Sequence, residues 1–269
     1  LSGENLYRLN DINNGVRPDF IDVSLNKSVP ETSINKDWVD ITMSYNGLNV
    51  AACLKDSNIW VSLNEGNDNT WTKSIDTSGH EISGNWISIT SDFTGKDNYI
   101  TRRDLSNAIF DKKGIAYSND FGTTWVDMTG TIKDTHSGTI YNLEQDWVDI
   151  VVSGDNKKIY AIYEKDEKYF IIYKLISAAN WTILNIKKWD YSTNTELTNF
   201  HWKKIVTNFS GNRIFLIADN HENIWTSNDT GNTFSKIDNI AGTHPVWNSI
   251  SCSLDGNKIT AWDKQNGKM

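Results

Sequence analysis

Apolar and β-branched residues run along this chain in short bursts, broken roughly every 8 to 12 residues by Asn-, Asp- and Gly-rich turns, as an all-β chain requires. One recurrence phases the bursts: Trp, two residues, then Ile. It reads Trp38-Val39-Asp40-Ile41, Trp86-Ile87-Ser88-Ile89, Trp147-Val148-Asp149-Ile150, Trp202-Lys203-Lys204-Ile205 and Trp247-Asn248-Ser249-Ile250. The tryptophans lie 48, 61, 55 and 45 residues apart, and wrapping from Trp247 through the termini to Trp38 gives 60. Each unit predicts four strands. In the fourth, Trp202 to Thr207 is followed by a turn at Ser210-Gly211-Asn212. The run Arg213 to Ala218 is apolar enough for burial on both faces. A turn at Asn220 to Asn223, a strand Ile224 to Ser227, a tight turn at Asp229 to Asn232 and a strand Thr233 to Ile237 complete it. No helical periodicity appears.

A β-strand unit repeating every 50 residues or so cannot bury its faces alone, but stacked around an axis it can, which is the logic of a β-propeller. The expectation is an all-β, single-domain chain over residues 1–269: a five-bladed β-propeller of four-stranded antiparallel blades. The blades fall near 38–74, 86–128, 147–186, 202–237 and 247–262. The fifth unit ends after two strands, and its missing half is sought at the N-terminus. There Asn5 to Asn10 matches Asn58 to Leu63 in type and phase, and Asp19 to Val23 can serve as a fourth strand. Residues 5–23 would then complete the C-terminal blade, close the ring and remove its exposed edges.

Composition changes this picture little. The net charge is −8 and no run of five or six Lys or Arg occurs, so the electrostatic footprint of a nucleic-acid binder is missing. No apolar stretch reaches the roughly 18 residues of a membrane span. The chain opens at Leu1 without a basic-then-apolar leader, a pattern that suits a processed or excised fragment. Cys53 and Cys252 have no metal-type spacing and read as buried free thiols. No metal and no cofactor is expected.

The link between third and fourth strands carries a motif. Ser118-Asn119-Asp120-Phe121-Gly122-Thr123-Thr124-Trp125 matches Ser-x-Asp-x-Gly-x-Thr-Trp throughout, and Ser227-Asn228-Asp229-Thr230-Gly231-Asn232-Thr233-Phe234 matches with Phe for Trp. Asn64 to Trp71 is a degenerate copy; Ile176 to Trp181 keeps only the aromatic, and Asn10 to Gly15 is decayed. On these residues the chain resembles the Asp-box propellers (bacterial neuraminidase repeats), a group that includes sialidases, sortilin-type receptors, plant-type photosystem assembly factors and bacterial propeller lectins. The motif itself reads as a folding device. Asp bonds the amides of its own turn, Gly supplies positive φ, and the aromatic packs between strands. One carboxylate per box falls short of a Ca²⁺ cage.

The resemblance directs attention to sialidase chemistry, which needs an arginine cluster to grip a carboxylate, a Tyr–Glu pair and an acid. The chain has only Arg8, Arg17, Arg102, Arg103 and Arg213, none followed by Ile-Pro, and the family's sialidases use six blades. No Gly-x-Ser-x-Gly, His-Glu-x-x-His or phosphate-cradling loop is present. The expected role is therefore non-catalytic recognition, extracellular or on a particle surface. A glycan is the first partner considered; protein docking or self-assembly is the second, and a sialidase-like glycosidase the third. Function would sit on the face carrying the long connectors Ile75–Asn85, Thr129–Asp146, Lys187–His201 and Asp238–Val246. His80, His136, His201 and His244 fall in those connectors and His221 in a second-to-third turn of the same face. They form either ordinary loop polarity or a recognition face that titrates near neutrality. Trp189, Tyr191 and Phe200 share the third connector. Two roles are open to them: stacking on a sugar or anchoring a partner, or filling the gap left by the missing third box.

Overall fold

The structure is a computed structural model that describes residues 7–9, 20–22, 37–67, 70–104, 110, 112–184, 187–188, 200–219, 221–237 and 245–264. Every element in it is a β-strand. Four sheets repeat one antiparallel order, inner to outer. Blade 1 is Trp38–Met43, Val50–Leu54, Ile59–Ser62 and Trp71–Lys73; blade 2 is Asn85–Ser91, Asn98–Arg103, Gly114–Ser118 and Thr124–Asp127. Blade 3 is Asp146–Val152, Lys158–Lys165, Lys168–Leu175 and Trp181–Ile183; blade 4 is Trp202–Thr207, Ile214–Ala218, His221–Ser227 and Thr233–Ile237. A fifth unit holds Trp247–Cys252 paired with Ile259–Asp263. The architecture is a β-propeller.

The expectation of five complete blades needs correction against these pairings. Among the described residues four blades are complete and the fifth unit's sheet has two strands. Tyr7–Leu9 pairs antiparallel with Phe20–Asp22, as third and fourth strands of a blade would. That pair forms a sheet of its own, and among the described residues Ile259–Asp263 is bonded to Trp247–Cys252 only. One boundary also moves. The third strand of blade 4 starts at His221 rather than Ile224, because a register shift between Leu216 and Ala218 lets the turn tighten and brings Ala218 opposite His221.

The first strands face one another around the axis, and all five carry a β-bulge immediately after the Trp: the register shifts between Trp38 and Asp40, Trp86 and Ser88, Trp147 and Asp149, Trp202 and Lys204, Trp247 and Ser249. In a regular strand residues three apart point to opposite faces. The bulge adds one residue and puts Trp and Ile on the same face. Trp147, Ile150 and Val152 thus join Tyr99 and Ile115 of blade 2 in one apolar layer. Trp202 and Ile205 join Tyr160, Ile162 and Ile171 of blade 3 in the next. Ile89, Ile150, Ile205 and Ile250 are at most 6% exposed, but Ile41 is 48% exposed, since no described strand of a preceding blade covers it.

The connectors lock each blade to the next. Leaving blade 1, Ile75–Asp76 pairs in parallel with the outer strand of blade 2. Ile132–Lys133 does the same on blade 3 and Lys187–Lys188 on blade 4. These pairings cover outer edges that would otherwise be open to aggregation.

Candidate functional site

At the connector end of the axis, the bulges aim a polar residue from each blade inward. Asp40, Ser88, Asp149 and Lys204 meet there. The Ser88 Oγ lies 2.8 Å from Asp40 Oδ2 and 2.7 Å from Asp149 Oδ1. Lys204 Nζ donates to Asp149 Oδ1 at 2.9 Å and stands 3.7 Å from Asp40 Oδ2, joining blade 4 to blades 3 and 1. The amides of Ile89 and Ile205 donate to Asp40 Oδ2 and Asp149 Oδ2. Burial pushes the Asp149 carboxyl up, with Lys204 opposing it. Lys204 is half-buried; desolvation by itself would lower it, but Asp149 and Asp40 together raise it, so the amine stays an ammonium. Spacing alone did not single out these residues; the signal was their shared place two after each Trp.

The opposite mouth is built from five turns between first and second strands, beginning at Ser44, Asp92, Ser153, Asn208 and Ser253. Backbone bonds run from turn to turn: Tyr45 N to Phe93 O, Phe93 N to Gly154 O, Asp155 N to Phe209 O and Phe209 N to Leu254 O. Tyr45 stacks on Phe93 with centroids 4.3 Å apart, and Phe93 meets Phe209 edge-on at 5.4 Å, so aromatic rings close this end of the axis. A Cβ on Gly154 would lie 2.6 Å from the Phe209 ring, which is why that turn has no side chain there.

On the connector face, blades 3 and 4 bring two of the singled-out histidines into one aromatic cluster. The exposed His201 stacks on Tyr169, centroids 5.2 Å apart and 23° between planes. Phe200 packs edge-on against His221 at 4.5 Å and tilts against Trp202 and Trp225 at 5.3 and 5.5 Å. His221 Nδ1 accepts from the Asn223 amide, and Lys203 pairs with Asp219 at 2.8 Å beside them. Tyr169 was not anticipated, since its position opposite the connector depends on the long hairpin of blade 3.

His80 and His136 do not join this cluster. Both stand exposed in connector loops that run along the outer edges of blades 2 and 3, held by Asp76 and Asp134, whose carboxylates accept the His80 and His136 amides at 2.9 Å. The His80 ring lies 3.4 Å from Asp76. The expected single histidine face is thus split, because these connectors pass outside the fourth strands before turning inward. His244, Trp189 and Tyr191 lie outside the described residues.

The motif turns have a repeated bond set. Ser118 Oγ donates to Asp120 Oδ1 and accepts from Gly122 N, while Asp120 Oδ1 accepts from Thr124 N at 2.8 Å. Ser227, Asp229, Gly231 and Thr233 repeat this, with Thr233 Oγ1 also donating to Asp229 at 2.6 Å. The degenerate copy begins at Ser62: its Oγ accepts from Gly66 N, and Trp71 Nε1 reaches Gly66 O across a longer loop. Phe121 and Gly122, Thr230 and Gly231, and Glu65 and Gly66 all take positive φ. Arg102 is buried, bonded to Asp127 at 2.6 Å and set over Phe110, and Arg213 reaches Asn257 of the next unit at 2.7 Å. Among the described residues no group of three His, Cys, Asp or Glu is arranged to hold a metal, and no helix is long and apolar enough to cross a membrane.

Fold and axis define the class as a β-propeller. No family model and no curated protein matches the sequence. Solved structures do match in shape. A chain of a nidogen/laminin complex is similar at TM-score 0.61 and 10% identity over 98% of this chain and 84% of that one. The β-propeller domain of Cps50 (Swd1) from Myceliophteria thermophila matches at 0.55 and 10% over 85% and 64%, and a putative TolB from Agrobacterium tumefaciens at 0.54 and 15% over 86% and 79%. At these identities the likeness is one of fold.

Proposed function

We propose that the chain is a non-catalytic recognition propeller of the Asp-box kind, binding a glycan through the connector face of blades 3 and 4. The carrying observation is the exposed His201 ring stacked on Tyr169. Flat rings at a surface suit the apolar faces of sugars, and the neighbouring Lys203–Asp219 pair offers polar atoms for hydroxyl groups. Trp189 and Tyr191, expected from the sequence as ligand-binding aromatics, lie outside the described residues. Arg102 and Arg213 are engaged within and between blades, which supports a role other than gripping a substrate carboxylate. The expected result is sugar-selective binding on a glycan array, lost in His201→Ala and Tyr169→Ala with folding intact. Binding that survives both substitutions removes the site. Turnover of a fluorogenic sialoside that a single carboxylate substitution abolishes removes the non-catalytic reading.

The same reading takes the ring as five-bladed over residues 1–269, closed by the Tyr7–Leu9 and Phe20–Asp22 pair. Two observations support it. Trp247–Cys252 of the fifth unit packs beside the first two strands of blade 4, on the side away from blade 3. The Val50, Ala52 and Leu54 side of blade 1, with Trp60 and Trp71, is buried.

A second reading, docking to a protein or to another copy of the chain, rests on the opposite mouth, where Met43, Tyr45 and Leu254 are 60%, 74% and 55% exposed. Exposed apolar clusters of this kind mark contact surfaces. Sedimentation across a concentration series separates the two: self-association relieved by Tyr45→Ser and Leu254→Ser favours docking.

A further inference from the structure

The axis cluster has fewer hydrogens than its short contacts require. Ser88 carries one hydroxyl hydrogen, yet its oxygen lies 2.8 Å from one carboxylate oxygen and 2.7 Å from another. It can donate to only one of them. The other contact is a bond only if that carboxyl brings its own hydrogen. Charge leads to the same place: two carboxylates and one ammonium leave one surplus negative charge shared between Asp149, only 3% exposed, and the part-buried Asp40. Holding an unpaired charge away from water is costly, and a proton removes it.

We propose that Asp40 and Asp149 share one proton through the Ser88 hydroxyl, so that the axis holds one carboxylate, one carboxylic acid and the Lys204 ammonium. Ser88 then accepts from the acid and donates to the carboxylate, and every short contact has its hydrogen. The groups facing the pair are Lys204 from blade 4 and the Cys53 thiol of blade 1, whose Sγ lies 3.7 Å from the Asp40 carbonyl; burial pushes that thiol well up and keeps it neutral. The upward push of burial on Asp149 is in the same sense. Blades 1, 2, 3 and 4 all contribute to the cluster, so its protonation is linked to the ring. A carboxyl with a folded pKa above its unfolded one contributes stability that is complete at acid pH and is lost as pH rises through the folded value. The clasp therefore weakens as pH rises through the folded value of the pair.

The test uses the full chain with ¹³Cγ-labelled aspartate, followed by NMR, and the variant Asp40→Asn, which removes the surplus charge and leaves the Lys204–Asp149 pair. Asp97 is the internal reference, raised by its own burial and by Asp92. The expected result is an axis aspartate resonance in wild type that stays protonated to higher pH than an ordinary aspartate, absent from the variant, while the titration of Asp97 is unmoved. The wild-type Tm should fall by about 2 °C or more relative to the variant as pH rises through the folded value of the pair. Failure to find that resonance in wild type overturns the proposal even if the variant does not fold. A parallel pH course of Tm in the two proteins overturns it as well.

Discussion

The indole N–H of Trp125 donates to the carbonyl of Gly122 at 2.7 Å, tying the aromatic that packs between blades 1 and 2 to the turn that precedes it. The Asp120 carboxylate orders that turn. Burial pushes its pKa up, but the Thr124 amide and the Ser118 hydroxyl outweigh this and hold it below the ordinary value; Asp229 behaves alike, with Thr233 as its main partner. Asp120→Ala or Asp229→Ala should each cost about 1–3 kcal/mol in urea unfolding. Because both carboxyls are lowered, their contribution is present at neutral pH and is lost as pH falls through the folded values, below the ordinary carboxylate range. Asp120→Asn should flatten the acid side of the stability profile.

Gly122 and Gly138 both hold positive φ, but a Cβ at Gly122 would stand 2.8 Å from Val61 Cγ1 of blade 1, whereas nothing lies within 4 Å of one at Gly138. Ala at either position meets the backbone strain; only at Gly122 does it also press two blades apart. Gly138→Ala should cost about 1 kcal/mol and Gly122→Ala about 1–3 kcal/mol more, read from denaturant midpoints. Equal costs would mean that the blades part without resistance.

The strands and the Ser118 and Ser227 turns were legible because a period of two, regular breaks and the Trp-x-x-Ile phase are local properties. Ser62 as the head of a third such turn was not, because its extra residues before Thr70 disguise the spacing. Tyr169 meeting His201, and Asp40 meeting Asp149 through Ser88, follow from how blades are rotated about an axis. No single unit encodes that. The split of the histidines had the same origin, since a linear sequence does not say whether a connector runs over the outer or the inner end of the next sheet.

The thiols differ in reach. Cys53 is fully buried, and Cys252 is half-buried with burial raising its pKa to about 11. At pH 8 a thiol reagent should modify folded protein much more slowly than urea-unfolded protein, which should titrate two thiols. Cys252 should react before Cys53. Rapid native modification of both would place the first layer of blade 1 in solvent.

Removal of residues 1–12 tests the closure directly. If Tyr7–Leu9 belongs to the fifth blade, the truncated chain should melt several degrees lower, since a few kcal/mol of burial shifts Tm by that much in a protein of this size. Unchanged melting would mean that the ring does not depend on its N-terminal strands.

The bulge after each tryptophan gives the propeller an economy of another sort. It hands packing to Trp and Ile and frees the residue between them from it, and that position reads Asp, Ser, Asp, Lys and Ser around the axis. Five separate sites on one chain can therefore change their chemistry without disturbing an apolar layer. The inside of this ring is a place where a substitution spares the Trp and Ile layers but acts on its neighbours across the axis, and its character belongs to the combination of five blades rather than to the repeat from which they are built.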